Sequence, residues 1–245
     1  MTIKIPKSGK GDIRVIIFLF ILLLLYLPAV SQSVETIDLR EVPQRKVREY
    51  IFLRSFDKLN DFSSIHASWK KNIDEYDFNV TEETFYLREK LPVVWEFYRH
   101  ANPLMMWNGR SFRFGLLICK CSKSVIYANN SSFPDIDTGQ VYFLNLRLIK
   151  GLFNVPVAFE IINIDKEKKI MEFSYIDNNK SLGKQTLEFS DDRVGRTRIV
   201  HRSYFRSESR LRDDLFYPYF HHKFVEEFHR NMRHFIRNEK DPVLI

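Results

Sequence analysis

The sequence predicts an α+β fold in which a meander of antiparallel strands is followed by one long amphipathic helix at the C-terminus. Three observations point there. From about residue 80 onward, runs of alternating apolar and polar residues are separated by Asn-, Asp- and Gly-containing connectors, the pattern of β-hairpins. After the last run, residues 215–236 (LFYPYFHHKFVEEFHRNMRHFI) repeat apolar side chains at helical spacing. Finally, 22 Phe, 11 Tyr and 3 Trp make 15% of the 245 residues aromatic, while Gly and Pro are few. That composition excludes a low-complexity or disordered chain and fits either a bulky core or a ring-lined cavity.

The chain divides into four parts. Residues 1–31 read as a signal peptide or N-terminal membrane anchor, 32–79 as a helical extension or linker, 80–238 as the folded domain and 239–245 as a tail. The first part sets a basic leader (MTIKIPKSGKGDIR) before thirteen uninterrupted apolar residues, Val15 to Leu27, then LPAVSQS with small residues at Ala29 and Ser31. Thirteen residues fall short of the roughly 20 of a membrane span but suit the core of a cleaved signal peptide, which Pro28 would end. The expected location is therefore across a membrane, periplasmic or secreted, or anchored there by an uncleaved N-terminal helix in contact with the lipid. The leader holds Lys4, Lys7, Lys10 and Arg14 against Asp12, which is +3 of the net +7 and leaves a modest +4 for the remainder. With no recognition helix or stacking motif beside it, that charge argues against a nucleic-acid partner.

Within the extension, PQRKVREYIFLRSFDKL sets Val47, Tyr50, Ile51 and Leu59 near helical spacing after Pro43, a good first-turn residue, so a packing or spacer helix is expected. TEETFYLREK is then a strand, and PVVWEFYRHANPLMMW one or two helical turns broken at Pro103. SFRFGLLICK, KSVIYAN, QVYFLNLRLIK and VPVAFEIINID follow as strands, with KIMEFSYID, KQTLEFS and TRIVHRSYF as a closing meander. The two cysteines, Cys119 and Cys121, fall at i and i+2 of one expected strand and so on one face. A bridge between them would be strained, and without a second Cys cluster no zinc site is expected. Nor is there a Gly-rich phosphate loop or a G-x-S-x-G elbow, so no cofactor and no nucleophile are expected.

Alternation orients the meander. In RTRIVHRSYF the Arg-rich face should be wet, which turns Thr197, Ile199, His201, Ser203 and Phe205 inward, joined by Met171, Phe173, Tyr175, Leu187 and Phe189. Projected at about 100° per residue, the terminal helix gathers Tyr217, Phe220, Phe224, Val225, Phe228, Met232, Phe235 and Ile236 on one stripe with His221 inside it. His222, Glu226, His229 and Arg233 fall opposite. The i, i+4, i+7 spacing of His222, Glu226 and His229 could present metal ligands, but half of the di-iron carboxylate pattern is missing and nothing evident completes a shell. A solvated face is expected there, and no metal. His201 and His221 stand out as polar groups on otherwise apolar surfaces: either core histidines satisfied by a hydroxyl or carbonyl, or polar tips in a hydrophobic pocket.

The order of elements, namely one strand, a helical segment with a P-x-x-W start in FYLREKLPVVWEFY, several antiparallel strands through FEIINIDKEKKIMEFSY to TRIVHRSYF, and a long helix, resembles the START/Bet v 1-like (helix-grip) superfamily over residues 80–238. The resemblance implies a curved antiparallel sheet gripping the C-terminal helix around a hydrophobic cavity. It also implies that Tyr217, His221, Phe224 and Phe228 line that cavity from the helix, with Phe173, Phe189 and His201 from the sheet. On this footing the expected function is an exported binding protein for an apolar or amphipathic, lipid-like small molecule, ahead of an enzymatic role. The alternatives are a polyketide cyclase- or aromatase-like enzyme using a cavity histidine, and a non-catalytic envelope scaffold with a filled core. No catalytic residue transfers with such a fold.

Overall fold

Large apolar residues occupy both faces of the strands, so this sheet has two surfaces to bury. The structure, a computed structural model, describes residues 35–70, 72–177, 179, 181–207, 209 and 217–240, the backbone alone at 217, 218 and 240. The expected leader at 1–31 lies outside the described residues, as does the tail beyond 240. Helix α1 is Arg45–Leu53, followed by strand β1 (Asn79–Leu87), α2 (Leu91–Arg99) and the single turn α3 (Pro103–Met106). Then come β2 (Phe112–Cys119), β3 (Ser124–Tyr127), β4 (Gln140–Leu148), β5 (Phe153–Asp165), β6 (Ile170–Tyr175), β7 (Ser181–Asp191), β8 (Thr197–Ser207) and α4 (Tyr217–Lys240). All eight strands form one antiparallel sheet in the order β1-β8-β7-β6-β5-β4-β2-β3. Among the described residues no helix is long and apolar enough to cross a membrane.

The sheet curves around α4, and bulges help it to do so. Register slips between Phe114 and Leu116 on β2 and between Ile161 and Asn163 on β5, where an extra residue bends the strand. The first slip also switches faces. Phe112 and Phe114 join the inner core with α2 and α4, whereas Leu116 and Ile118 join a second core on the outer face. That outer core is completed by Val42, Val47, Tyr50, Ile51, Phe62 and Ile65, all buried, so the segment before β1 covers the back of the sheet. Leu59 lies beyond the end of α1 rather than on it, and packs partly buried against this core. Lys120 pins the cover from the sheet side, pairing with Glu160 at 2.7 Å and donating to the Ile65 carbonyl at 2.5 Å.

The inner face follows the alternation. Thr197, Ile199, His201, Ser203 and Phe205 are buried along β8, as are Met171, Phe173, Leu187 and Phe189 on β6 and β7. On α4, the consecutive residues Glu227, Phe228 and His229 are all buried. Three neighbours on a helix span about 200°, so sheet and loops enclose more than half of its circumference. Glu227 occupies one flank, where its carboxylate accepts from the Arg110 and Ser111 backbone N–H groups, the latter at 3.0 Å. Asn231 adds bonds to the Met106 and Asn108 carbonyls at 3.1 and 3.0 Å. A side chain at Gly109 would collide with that carboxylate, so any larger residue there requires Glu227 to shift away from its backbone donors.

The cysteines depart from expectation. Cys119 is the last residue of β2 and buried, while Cys121 sits exposed in the following turn; both are free thiols. The strand ends two residues before Cys121, too early for the pair to share its face.

Gly115 at the β2 bulge tests the outer cover. A Cβ there would lie 2.9 Å from the Phe143 carbonyl oxygen and 3.1 Å from Val47 Cγ1. Gly115→Ala should therefore lift α1 and lower the stability by about 1–3 kcal/mol in urea titrations. A wild-type midpoint would show that α1 is not held this closely.

Candidate functional site

Between the inner face and the first half of α4 lies a cavity of about 60 Å³. Its apolar wall includes Trp107, Phe112, Leu144, Leu146, Phe224 and Phe228, and its polar wall brings together Tyr175, Gln185, His201 and His221. Five of the seven expected residues thus line the cavity, namely His221, Phe224 and Phe228 from α4, His201 from β8 and Phe173 from β6. Phe189 does not line it. That ring is packed deeper, edge-on to Trp95 at 5.4 Å and to Tyr98 at 4.9 Å, because α2 crosses the sheet over this end of β7. The side chain of Tyr217 lies outside the described residues.

The largest correction concerns His229. Expected on the wet side with His222 and Glu226, it is fully buried. On a helical wheel it falls only about 20° beyond Ile236, so a groove wider than the apolar stripe takes it in. Phe85 stacks on its ring at 4.0 Å. His222, by contrast, is exposed and pairs with Glu83 at 2.7 Å, and Glu226 faces Arg230 at 4.0 Å. The three residues with metal-ligand spacing therefore point to three different places. Among the described residues no group of three or more His, Cys, Asp or Glu could hold a metal ion.

His229 belongs to a chain of buried hydrogen bonds that reaches the cavity. The Gln185 carbonyl Oε1 can only accept, so His201 Nε2–H donates to it at 2.8 Å. His201 Nδ1 then accepts from His229 Nε2–H at 3.0 Å, and His229 Nδ1 accepts from the Tyr98 hydroxyl at 2.8 Å. Every donor meets an acceptor when both rings are neutral, and burial keeps them so. It pushes the His201 pKa well below its ordinary value, with His229 and His221 adding to the effect, and it lowers His229 to about 3, helped by Arg233. Burial likewise holds the Tyr98 phenol protonated by raising its pKa. His221, paired with the Ser203 hydroxyl at 3.1 Å, is lowered to about 4 by burial first and by His222 second. The polar wall therefore offers dipoles and no charge.

Sequence reasoning missed Gln185, Tyr98 and His229. Gln185 was within reach, since it alternates with Leu187 and Phe189 on the inward face of β7. Tyr98 carried no signal beyond its place in a short amphipathic helix.

No family profile and no curated protein matches this chain. Solved structures do. A point mutant of norcoclaurine synthase from Thalictrum flavum, in complex with a transition-state analogue, superposes with a TM-score of 0.49 at 11% identity over 66% of this chain and 96% of that one. The ginseng (Panax ginseng) major latex-like protein 151 gives 0.46 at 12% identity over 64% of this chain and 95% of that one. A protein from Nitrosomonas europaea gives 0.46 at 12% identity over 66% and 96%. Norcoclaurine synthase and the latex-like protein both have the Bet v 1-like fold. Likeness at such identity is one of fold alone.

The buried histidines set a pH dependence. Their folded pKa values are depressed, so their contribution to stability is complete above the ordinary value of 6.5 and is lost as the pH falls below it. Three protons taken up on unfolding correspond to a slope approaching about 4 kcal/mol per pH unit between pH 6.5 and about 4. His100, raised by its bond to Asp135, has the opposite sign and acts above that window. Urea unfolding at pH 7 and pH 5 should show the loss, and His229→Gln should reduce the proton uptake by about one. Stability that stays level across the window would mean that these rings are hydrated.

Proposed function

We propose that this chain is an exported binding protein whose cavity takes a small, uncharged molecule with an apolar body and one hydrogen-bonding end. The observation that carries the reading is the cavity's asymmetry: rings and aliphatic side chains on one side, Tyr175, Gln185, His201 and His221 together on the other. Apolar walls supply affinity at roughly 25 cal/mol per Å² of surface removed from water, while a few polar groups fix orientation. A charged end would be desolvated against neutral dipoles, which is costly without a partner of opposite sign.

Size restricts the guest. A volume of about 60 Å³ is a fraction of the roughly 300 Å³ at which drug-sized pockets begin. Either the guest is small or a ring moves aside for it. Phe224 is the one to move, being only partly buried and meeting Phe112 at a tilt, with ring centres 6.4 Å apart. The enzymatic alternative is weaker at His201, because both of its ring nitrogens are already bonded, to Gln185 and to His229. Support for export comes from the leader's basic, apolar and small-residue sequence.

Thermal shift and native mass spectrometry with phenol, short alcohols and carboxylates of matched size test the reading. Neutral probes should stabilise the protein and the matched carboxylates should not. Phe224→Ala should admit larger neutral probes while costing about 2 kcal/mol of stability. If neither wild type nor Phe224→Ala takes up any neutral probe, the interior is a filled core and the scaffold reading replaces this one.

A further inference from the structure

The tip of the β4–β5 hairpin breaks the ordinary rules for a turn. Ile149, Lys150 and Gly151 all have left-handed backbone, at φ 47°, 56° and 92°. Gly suits such a position, but a β-branched residue there is strained, and Asn, Asp or Gly would be the usual choice. Here the strained turn holds large apolar side chains in solvent: Ile149 is 54% exposed, Leu152 77% and Phe153 61%. Leu53, 77% exposed at the end of α1, stands across a groove it shares with Asn154, Val155 and Pro156. Charge around the tip has one sign. From Gln140 to Phe159 the hairpin carries Arg147 and Lys150 and no acid. The groove's Glu49 is neutralised by Arg45 and Lys46 at 3.0 and 2.7 Å.

We propose that this tip docks into the interface of an anionic lipid bilayer, with Ile149, Leu152 and Phe153 at the acyl boundary and Arg147 and Lys150 at the headgroup phosphates. Apolar residues flanked by cations are the composition that interfacial binding rewards. A single protruding turn is also far too small for a stable protein interface, which buries about 800 Å² per partner. The antiparallel order puts the tip at the end of the sheet where β6 and β8 finish, the end toward which the cavity residues Leu146 and Tyr175 lie. The inference stands whether or not the cavity takes a guest.

The experiment needs a readout local to the tip, because the leader can itself hold the chain on lipid. In the full chain with Cys121→Ser, which leaves only the buried Cys119, Leu152→Cys carries an environment-sensitive dye. Vesicles are phosphatidylcholine alone or phosphatidylcholine with phosphatidylglycerol. The dye should shift to the blue and be quenched by lipid-borne quenchers in the anionic vesicles, and high salt should reverse this. Arg147→Gln with Lys150→Gln should weaken the insertion roughly thirtyfold. A dye at Val194→Cys, in the exposed β7–β8 turn at the opposite end, should stay water-like. A water-like signal at 152 in both vesicles overturns the proposal, as does an equal shift at 194. A blue shift without vesicles that grows with protein concentration also overturns it, assigning the tip to a second copy of the chain.

Discussion

Tyr98, His229, His201 and Gln185 form one hydrogen-bonded chain that joins α2, α4, β8 and β7, with Tyr98, His229 and His201 all buried. Its members have few ways to be satisfied. Each ring nitrogen has one partner, the direction is set by the Gln185 carbonyl, and an added proton would bring a donor with no acceptor into a low-dielectric site. Such a chain fixes the rotation of α4. With His229 turned to β8, Glu227 is delivered to the opposite flank, where the backbone N–H groups of Arg110 and Ser111 receive it, and Phe228 points between them. Trp107 stacks on Phe228 at 4.5 Å and closes the floor of the cavity. The volume of the cavity is therefore decided by polar bonds as much as by the rings that line it.

A helix seated this deeply needs a bent sheet, and a bent sheet exposes its back. The β2 bulge answers both needs at once, since it bends the strand and turns Leu116 and Ile118 outward to be covered by α1 and the residues around it. The cover is tied in by polar contacts too. Ser68 enters where β6 and β7 part, its backbone N–H donating to the Tyr175 carbonyl at 2.7 Å and its hydroxyl accepting from the Gly183 N–H at 3.2 Å. Tyr50 donates to Asn179 at 2.5 Å, and Asn179 in turn donates to the Ala158 carbonyl at 2.7 Å. The two faces are buried by segments from opposite sides of the strands in sequence, the residues before β1 on the outer face and α4 on the inner one.

Strands and helices could be read from the sequence because their periods are local: β8 alternates, and α4 repeats at helical spacing. The inward set Thr197, Ile199, His201, Ser203 and Phe205 needed nothing more. Rotation of α4 was harder. An apolar stripe locates the centre of a buried arc but not its width, which depends on how far the sheet wraps. His229 and Glu227 lie at the two edges of that arc, and polarity alone assigns both to solvent. The placement of Phe189 turned on the position of α2, and the role of the segment before β1 on a bulge that has no sequence signature beyond Gly115. These are tertiary facts. Gln185 is different, since alternation already placed it inward.

The clamp also dictates how the cavity could enlarge. Downstream of residue 227, α4 is held on both flanks, by Glu227 and Asn231 to the loop before β2 and by His229 to β8. Upstream, Phe224 lies half-buried against Phe112 and faces the cavity directly. Displacing a ring there costs packing in one corner of the core, whereas shifting the helix would strip partners from several buried polar groups together, at about 1–3 kcal/mol for each. The cavity therefore enlarges at least cost beside the first two turns of α4, against the wall where Gln185, His201 and His221 present their neutral dipoles.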